Sequence, residues 1–145
     1  MHNQEAVAWI MAAEGSFTLQ RVRNSLQPKI SVNNTERAFI DEFFLLVGYG
    51  NRGVHTYNDS HPRWNTLYHW YIGANKDCLA FCSDVRDFMP IKHEQVDLLV
   101  EFCTRGIERG CGCKSCVGER DWEIYERLRQ LNRRGKTVCD AVANG

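Results

Sequence analysis

The chain has 145 residues, of which 43% are hydrophobic and 25% are charged, and these values are typical of one soluble globular domain. No apolar run is long enough to cross a bilayer, and the polar start of the chain lacks a secretory signal, so we expect an intracellular protein with no membrane partner. The formal net charge is zero, which by itself argues against a nucleic-acid partner.

The first elements expected along the chain are a buried helix and a pair of strands. The apolar segment 5–13 predicts a helix that Gly15 ends. Apolar and polar residues then alternate over 16–22, as they do in a half-buried strand. Turn-forming residues at 25–28 predict a turn, and alternation resumes over 29–33. These two runs predict a β-hairpin.

The same order of elements is then predicted a second time. Residues 36–47 have the apolar spacing of an amphipathic helix that begins after Asn34 and Thr35 and ends at Gly48. A second hairpin is expected from a strand near 51–57, a polar loop over 58–63 and a strand over 66–72. Its second strand places three apolar residues on one face, namely Tyr68, Trp70 and Ile72.

The rest of the chain is predicted to be helical, with one irregular loop. Helices are expected over 77–88, before Pro90, and over 93–105. A loop rich in Gly and Cys follows over 106–118, and a charged helix over 121–134. The prediction is a single α+β domain over 1–145, with its core ending near residue 105. Helices on one face of an antiparallel sheet would leave its other face free to bind a partner.

Charge is segregated along the sequence in spite of the zero total. Residues 15–35 contain Arg21, Arg23 and Lys29 but no Asp or Glu. Residues 48–76 contain three basic residues and three histidines against the single acid Asp59. Both predicted hairpins are therefore basic, as a protein with one basic face requires.

Residues 7–15, VAWIMAAEG, followed by Ser16 and Phe17, resemble the motif of the LAGLIDADG homing endonucleases, from which they depart at Trp9 and Ala12. Three further segments are similar to that family: PKISVNNTE at 28–36, PIKHEQVDLLVEF at 90–102 and ERLRQLNRRGK at 126–136. The resemblance implies the αββαββα fold, with a saddle-shaped antiparallel sheet, helices on one face and extra C-terminal helices. It also implies a homodimer that binds double-stranded DNA at a near-palindromic site and cuts both strands.

The resemblance also implies roles for individual residues. Glu14 and the backbone carbonyl of Ala13 would hold Mg²⁺ or Mn²⁺, with Ca²⁺ as a substitute that does not support cleavage. Asn34 and Lys92 would complete the catalytic site. Glu14 is the only acid between residues 6 and 35, and carboxylate oxygens suit hard cations. The motif helix would form the dimer interface through four residues, Val7, Ala8, Met11 and Ala12.

The outward faces of the two hairpins would lie in the major groove, where Arg and Gln can make bidentate contacts with bases and other basic side chains hold phosphates. This face assignment depends on strand register, because a shift of one residue reverses it. The expected DNA-binding residues are Thr18, Gln20, Arg21, Arg23, Lys29, Ser31, Asn33, Arg52, His55, Tyr57, Arg63, His69 and Tyr71.

Seven cysteines are an odd number for a disulfide framework, so reduced thiols or metal ligands are expected. Cys103, Cys111, Cys113 and Cys116 could form a structural Zn²⁺ site, and a flexible reduced loop is the alternative. Two other functions stay open at this point. One is a DNA-binding regulator or RNA maturase that has lost cleavage, and the other is a protein-interaction domain organised by zinc.

Overall fold

The computed structural model describes the backbone of residues 1–56, 66–110 and 117–144, and the side chains of these residues as far as 133. The described part is an α+β fold of five α-helices, one short 3-10 helix and four strands. In chain order these are α1 (Gln4–Glu14), β1 (Gly15–Val22), β2 (Ser25–Asn34), α2 (Arg37–Val47), β3 (Asn51–His55), β4 (Leu67–Ile72), α3 (Asn75–Val85), the 3-10 turn Arg86–Phe88, α4 (His93–Arg109) and α5 (Glu119–Asn144).

The strands form one antiparallel sheet in the order β1-β2-β4-β3. Burial alternates along the two central strands, so that one sheet face packs against helices. Phe17 pairs with Ile30, and Ile30 pairs in turn with Ile72, so these three apolar side chains share the packed face. The predicted fold class and the predicted order of elements are confirmed.

The hydrophobic core lies between this sheet face and the helices. Trp70 of β4 is fully buried at its centre, where its ring meets Phe43 of α2 edge-on at 5.0 Å and Phe81 of α3 at 5.4 Å. The indole N–H donates to the backbone oxygen of Tyr49 at 2.9 Å, so burial leaves no polar atom of the ring unsatisfied. Burial of Trp70 and Ile72 agrees with the predicted apolar face of this strand, while Tyr68 is half-buried.

The first hairpin turns earlier than the sequence predicts. The turn lies at Arg23 and Asn24, and Arg23 adopts a left-handed conformation with φ 59°. Ser25 to Pro28 belong to β2, and Pro28 pairs with Leu19. Proline is accommodated there because β4 begins to pair with β2 only at Ile30, so no β4 residue faces Pro28. The predicted turn at 25–28 is therefore wrong.

The helix boundaries agree with the sequence in part. Helix α2 ends at Gly48, whose φ of 86° and N–H bond to the Phe44 oxygen close its C-terminus as expected. The helix predicted over 77–88 instead divides into α3 and the 3-10 turn. Helix α4 continues through Gly106 to Arg109, and α5 extends beyond the predicted residue 134 to Asn144. None of the described helices is both long enough and apolar enough to span a membrane.

A buried carboxylate joins α4 to α5. Asp121 is fully buried and accepts hydrogen bonds from Arg105 at 3.3 Å, from Arg109 at 2.7 Å and from the Gly118 N–H at 2.9 Å. Burial acts to raise the pKa of Asp121, but the Gly118 hydrogen bond and the two arginines outweigh it and lower that pKa. The start of α5 is thereby fixed against the end of α4.

Candidate active site and nucleic-acid interface

The C-terminal end of α1 runs directly into β1. Glu14 is the last helical residue and is exposed, whereas the next residue, Gly15, is buried and already extended, with φ −88°. A Cβ on Gly15 would overlap the Met11 side chain and lie 2.8 Å from the Met11 backbone. Only glycine permits this close change of direction, which places an exposed carboxylate at the start of the edge strand.

Lys92 closes the same end of α1 although it is 77 residues distant from Gly15. Its ammonium group donates to the Gly15 oxygen at 2.8 Å and to the Met11 oxygen at 3.3 Å. A cation at a helix C-terminus satisfies the last carbonyls and complements the helix dipole. Lys92 itself has φ 67°, a left-handed conformation that is uncommon for residues other than glycine.

The charges of Lys92 and Glu14 interact. Burial lowers the pKa of Lys92, and the nearby Glu14 carboxylate acts in the opposite direction. The structure therefore brings together two of the residues expected to be catalytic, an acid and a lysine. They meet at the junction of α1 and β1.

Asn34 has a local structural role. Its side-chain oxygen accepts the Glu36 N–H at 2.8 Å, at the entry to α2, as expected of a residue that terminates a strand and begins a helix. Asn34 lies two residues beyond Val32, and Val32 pairs with Gly15. It is therefore on the strand next to the end of α1, and its catalytic role stays a prediction.

One copy of the chain offers an incomplete ligand set for a divalent metal. Glu14 supplies an exposed carboxylate, and the carbonyl of Ala13 precedes it in the chain. Within 1–56, 66–110 and 117–133, no three His, Cys, Asp or Glu side chains are grouped as metal ligands. Hard oxygen donors fit Mg²⁺ or Ca²⁺, but a single carboxylate fits a site that is shared with a second molecule better than one enclosed by this chain.

The sheet face opposite the core, here called the open face, is polar and contains no acid. None of its residues is fully buried, and the four strands that form it contain no Asp or Glu on either side. Register and burial place on it Ser16, Thr18, Gln20, Val22, Ser25, Gln27, Lys29, Ser31, Asn33, Asn51, Gly53, His55, Leu67, His69 and Tyr71.

Eight of the predicted DNA-binding residues lie together on the open face. Three residues that the sequence interpretation missed lie beside them, namely Ser25, Gln27 and Asn51, and Gln27 pairs directly with Gln20. The alternation that starts at Lys29 would have found Gln27 if it had been continued back through Pro28. The eight predicted residues are Thr18, Gln20, Lys29, Ser31, Asn33, His55, His69 and Tyr71.

The other predicted DNA-binding residues lie elsewhere. Arg52 pairs with Trp70 and shares its face, where it bonds to Asp41 of α2 at 2.9 Å and covers the Phe44 ring at 4.2 Å. The prediction that Arg52 lies on the outer face is therefore wrong, because its side chain is on the helix side of the sheet. Arg21 lies at the rim on the helix side, and Arg23 lies in the exposed turn. Tyr57 and Arg63 lie outside the described residues.

A basic and aromatic group occupies the middle of the open face. The Lys29 ammonium is 5.5 Å from the centre of the Tyr71 ring, and the His69 and Tyr71 rings are 5.4 Å apart. His69 lies over Gly53, where a Cβ would overlap its ring. Partial burial and then the charges of Lys29 and His55 lower the pKa of His69, so it stays neutral to a lower pH than a free histidine.

The residues predicted to form the dimer interface lie on the buried side of α1. Val7, Ala8, Met11 and Ala12 are buried in the chain's own core, because this side of α1 packs on the sheet and on α3. The outward side of α1 carries Trp9, which is 57% exposed, and Ala13, with Ala6 and Ile10 half-buried beside them.

The described residues give no support to a zinc site. Cys103 is buried in α4 against Cys78 of α3. A hydrogen bond with Cys103, and then burial, raise the pKa of Cys78, so the Cys78 thiol stays protonated, unlike the thiolates that bind zinc. The predicted zinc role of Cys103 therefore has no support among the described residues. The other predicted ligands, Cys111, Cys113 and Cys116, lie outside the described residues.

No protein-family model and no curated protein matches the sequence. The fold, in contrast, is similar to solved homing-endonuclease structures. The homing endonuclease I-CvuI in complex with its target has a TM-score of 0.68 at 15% identity, over 88% of this chain and 82% of that one. The archaeal intron-encoded I-Vdi141I complexed with DNA has a TM-score of 0.67 at 18% identity, over the same shares of both chains.

A third similar structure is longer than this chain. The LAGLIDADG homing endonuclease I-LtrWI bound to its target DNA has a TM-score of 0.66 at 11% identity, and the match covers 86% of this chain but 43% of that one. Identities this low establish the architecture. The chain has the fold of the LAGLIDADG homing endonucleases, as the resemblance of its residues 7–17 predicted.

Proposed function

We propose that this protein is a site-specific DNA endonuclease that cuts both strands of a duplex as a homodimer with divalent metal. One observation carries the proposal. An exposed carboxylate, that of Glu14, lies beside Lys92 at the start of a sheet whose open face is polar and contains no acid. Metal-dependent phosphodiester hydrolysis uses a carboxylate to hold metal next to a surface that accepts a polyanion.

The open face supplies the DNA contacts in this proposal. A two-stranded β-ribbon fits the major groove of B-DNA, and amide side chains there distinguish adenine from the other bases. Gln20, Gln27 and Asn33 offer such amides, while Lys29 adds charge that a phosphate would attract. I-CvuI and I-Vdi141I, which have the same fold, were solved in complex with DNA.

Glu14, Lys92 and Asn34 have separate tasks in this proposal. Glu14 would hold the metal ion together with the Ala13 carbonyl. The ion, when bound, neutralises phosphate charge and activates a water. Lys92 fixes the end of α1 through its two carbonyl bonds and places a positive charge close to the scissile phosphate. Asn34 orients the strand end next to Glu14 through its bond to Glu36. Structures of I-CvuI were obtained in Mg²⁺ and in Ca²⁺, which supports the choice of metal.

Two observations support the homodimer. The chain corresponds to less than half of I-LtrWI but to most of I-CvuI, so it has the size of one unit of a two-unit nuclease. In addition, one copy offers a single carboxylate at its candidate site, and a second copy would supply another. The outward side of α1, with Trp9 and Ala13, is the surface through which two copies would place their Glu14 residues side by side.

The proposal is tested by offering the full chain a randomised duplex library in Mg²⁺ and sequencing the cut molecules. We expect a single enriched site with approximate two-fold symmetry, cut on both strands, because a symmetric dimer recognises symmetric half-sites. Enrichment of bound but uncut molecules would instead identify a DNA-binding regulator. Absence of any enriched duplex would contradict the proposed function.

A further inference from the structure

Helix α5 lies along the free edge of the sheet. The Asn132 side chain donates to the Phe17 backbone oxygen of β1 at 3.3 Å, which satisfies an acceptor on the side of β1 that no other strand of the sheet pairs with. Beside this contact is a groove of about 280 Å³ whose polar lining includes Thr18, Arg129 and Arg133. Thr18 belongs to the open face, so the groove adjoins the surface proposed to bind DNA.

Arginines and aromatic rings alternate along this edge. The Arg21 guanidinium lies 5.3 Å from the centre of the Trp122 ring, and the Arg129 guanidinium lies 5.6 Å from that of Tyr125. The two rings meet edge-on at 5.9 Å. Both rings are half-buried while both arginines are exposed. The aromatic rings therefore hold two guanidinium groups in place and leave their N–H donors accessible to solvent.

Arg21 and Arg129 differ from two other arginines of α5. Arg127 and Arg120 each form a two-bond pair with a carboxylate of α4, Glu94 and Glu101 respectively. Among the described carboxylates, Arg129 approaches only Glu126, at 3.6 Å within its own helix, and both side chains of that pair are exposed. Such pairs are weak and compete poorly with a phosphate. Arg21 bonds to the Arg23 backbone oxygen at 3.1 Å, which leaves its charge uncompensated by that contact.

We infer that Arg21 and Arg129, with the groove beside Thr18, form a second DNA contact that binds backbone phosphates of the same duplex that the open face reads. This inference rests on the proposed function. Phosphate is the ligand that fits, because guanidinium forks match its oxygens and because β1 contributes no acid to the edge. An unpaired base fits less well, since a guanidinium group already lies over each of the Trp122 and Tyr125 rings on which it would stack.

The test compares three variants that each lose one positive charge, Arg21→Gln, Arg129→Gln and, as a control, Arg127→Gln. Arg127 lies two residues from Arg129 but is held by Glu94. Duplex binding by the full chain is measured in Ca²⁺ as a function of salt concentration, with the selected site and with a random duplex. Each contact variant should reduce the slope of log affinity against log salt by about 0.9, and equally for both duplexes, because phosphates carry no sequence information. The control should keep the wild-type slope.

The outcomes separate this inference from the proposed function. If wild type binds the duplex but Arg21→Gln and Arg129→Gln keep its slope, the edge contact is wrong while the proposed function stands. A loss confined to the selected site would show a base contact and would equally overturn the phosphate contact. If wild type binds no duplex at any salt concentration, the phosphate contact and the proposed function are both contradicted. Thermal unfolding of each variant checks that the fold is intact.

Discussion

The Lys92 ammonium donates to the backbone oxygen of Gly15 at 2.8 Å and so fixes the end of α1, where Glu14 is exposed. These bonds give Lys92 a role in stability, in addition to the catalytic role proposed for it. A lysine that only capped a helix would need no acid next to it. A lysine that only bound phosphate would not need hydrogen bonds to two backbone carbonyls. The two roles can be separated by experiment.

Lys92→Met keeps the aliphatic stem but removes the charged donor. The two carbonyls lose their partner, so the free energy of unfolding should fall by about 1–2 kcal/mol. Cleavage at saturating enzyme should slow by about 100-fold because charge stabilisation near the phosphate is lost. Urea unfolding and single-turnover cleavage measure the two effects, with the exposed Lys76→Met as the control. Weaker duplex binding with an unchanged cleavage rate would show that Lys92 is a phosphate contact and not a catalytic residue.

The lowered pKa of His69 predicts a pH dependence of the protein's stability. The pKa of His69 is lowered in the folded chain, by burial first and then by Lys29 and His55. The unfolded chain therefore takes up a proton below about pH 6.5 while folded His69 stays neutral. The stability contributed by neutral His69 is complete above that pH and is lost as the pH falls towards the folded pKa.

The comparison is between wild type and His69→Gln, both unfolded thermally at pH 7.5 and 5.5. Wild type should lose more of its Tm over this interval than the variant, since the variant lacks the group that titrates. Equal losses in the two proteins would show that the environment of His69 is not the source of the dependence.

Trp9 tests the dimer surface. It is 57% exposed on the outward side of α1, and its burial against a second copy would supply an aromatic anchor at the interface. Trp9→Lys should weaken self-association by about 2 kcal/mol or more in sedimentation equilibrium. Leu45→Lys is the matched control, because Leu45 is 62% exposed on α2, a different helix. If both variants associate as wild type does, α1 is not the interface.

The two sheet faces lead to opposite predictions for Gln20 of β1 and Arg52 of β3, the two edge strands. Gln20 lies on the open face, so Gln20→Ala should relax base preference at one position of each half-site by about 1–3 kcal/mol. Arg52 is bound to Asp41 on the helix side, so Arg52→Gln should leave base preference unchanged. Site selection with each variant, followed by sequencing, measures both. Relaxed preference in Arg52→Gln would mean that the β3 register is reversed.

The sequence predicted the fold well where local patterns determine it. Alternation gave the strands, and the apolar spacing before Gly48 gave α2, because burial on one side produces a readable period. The first turn was misplaced because Ser25 and Pro28 are turn-forming types, and nothing local indicates that Arg23 would adopt φ 59°. Pro28 can stay in a strand because β4 begins to pair with β2 only at Ile30. That pairing belongs to the tertiary structure and has no local sequence signal.

The site was predicted less completely. Helix α1 is apolar on most sides, so its sequence has little amphipathic period from which to distinguish the buried Met11 from the exposed Trp9. The contact between Lys92 and Gly15 spans 77 residues, and no local pattern encodes it. The edge formed by Arg21 and Trp122 was missed for the same reason, because it depends on how α5 docks on β1.

Glu14→Gln tests the central claim most directly, with Glu5→Gln at the other end of α1 as the control. The measurement is cleavage of the selected duplex in Mg²⁺, beside duplex affinity in Ca²⁺. We predict that Glu14→Gln loses cleavage while its affinity changes by less than about tenfold, roughly 1.4 kcal/mol, and that Glu5→Gln cuts as wild type does. Cleavage by Glu14→Gln at the rate of the Glu5→Gln control would contradict the claim that this carboxylate holds the metal.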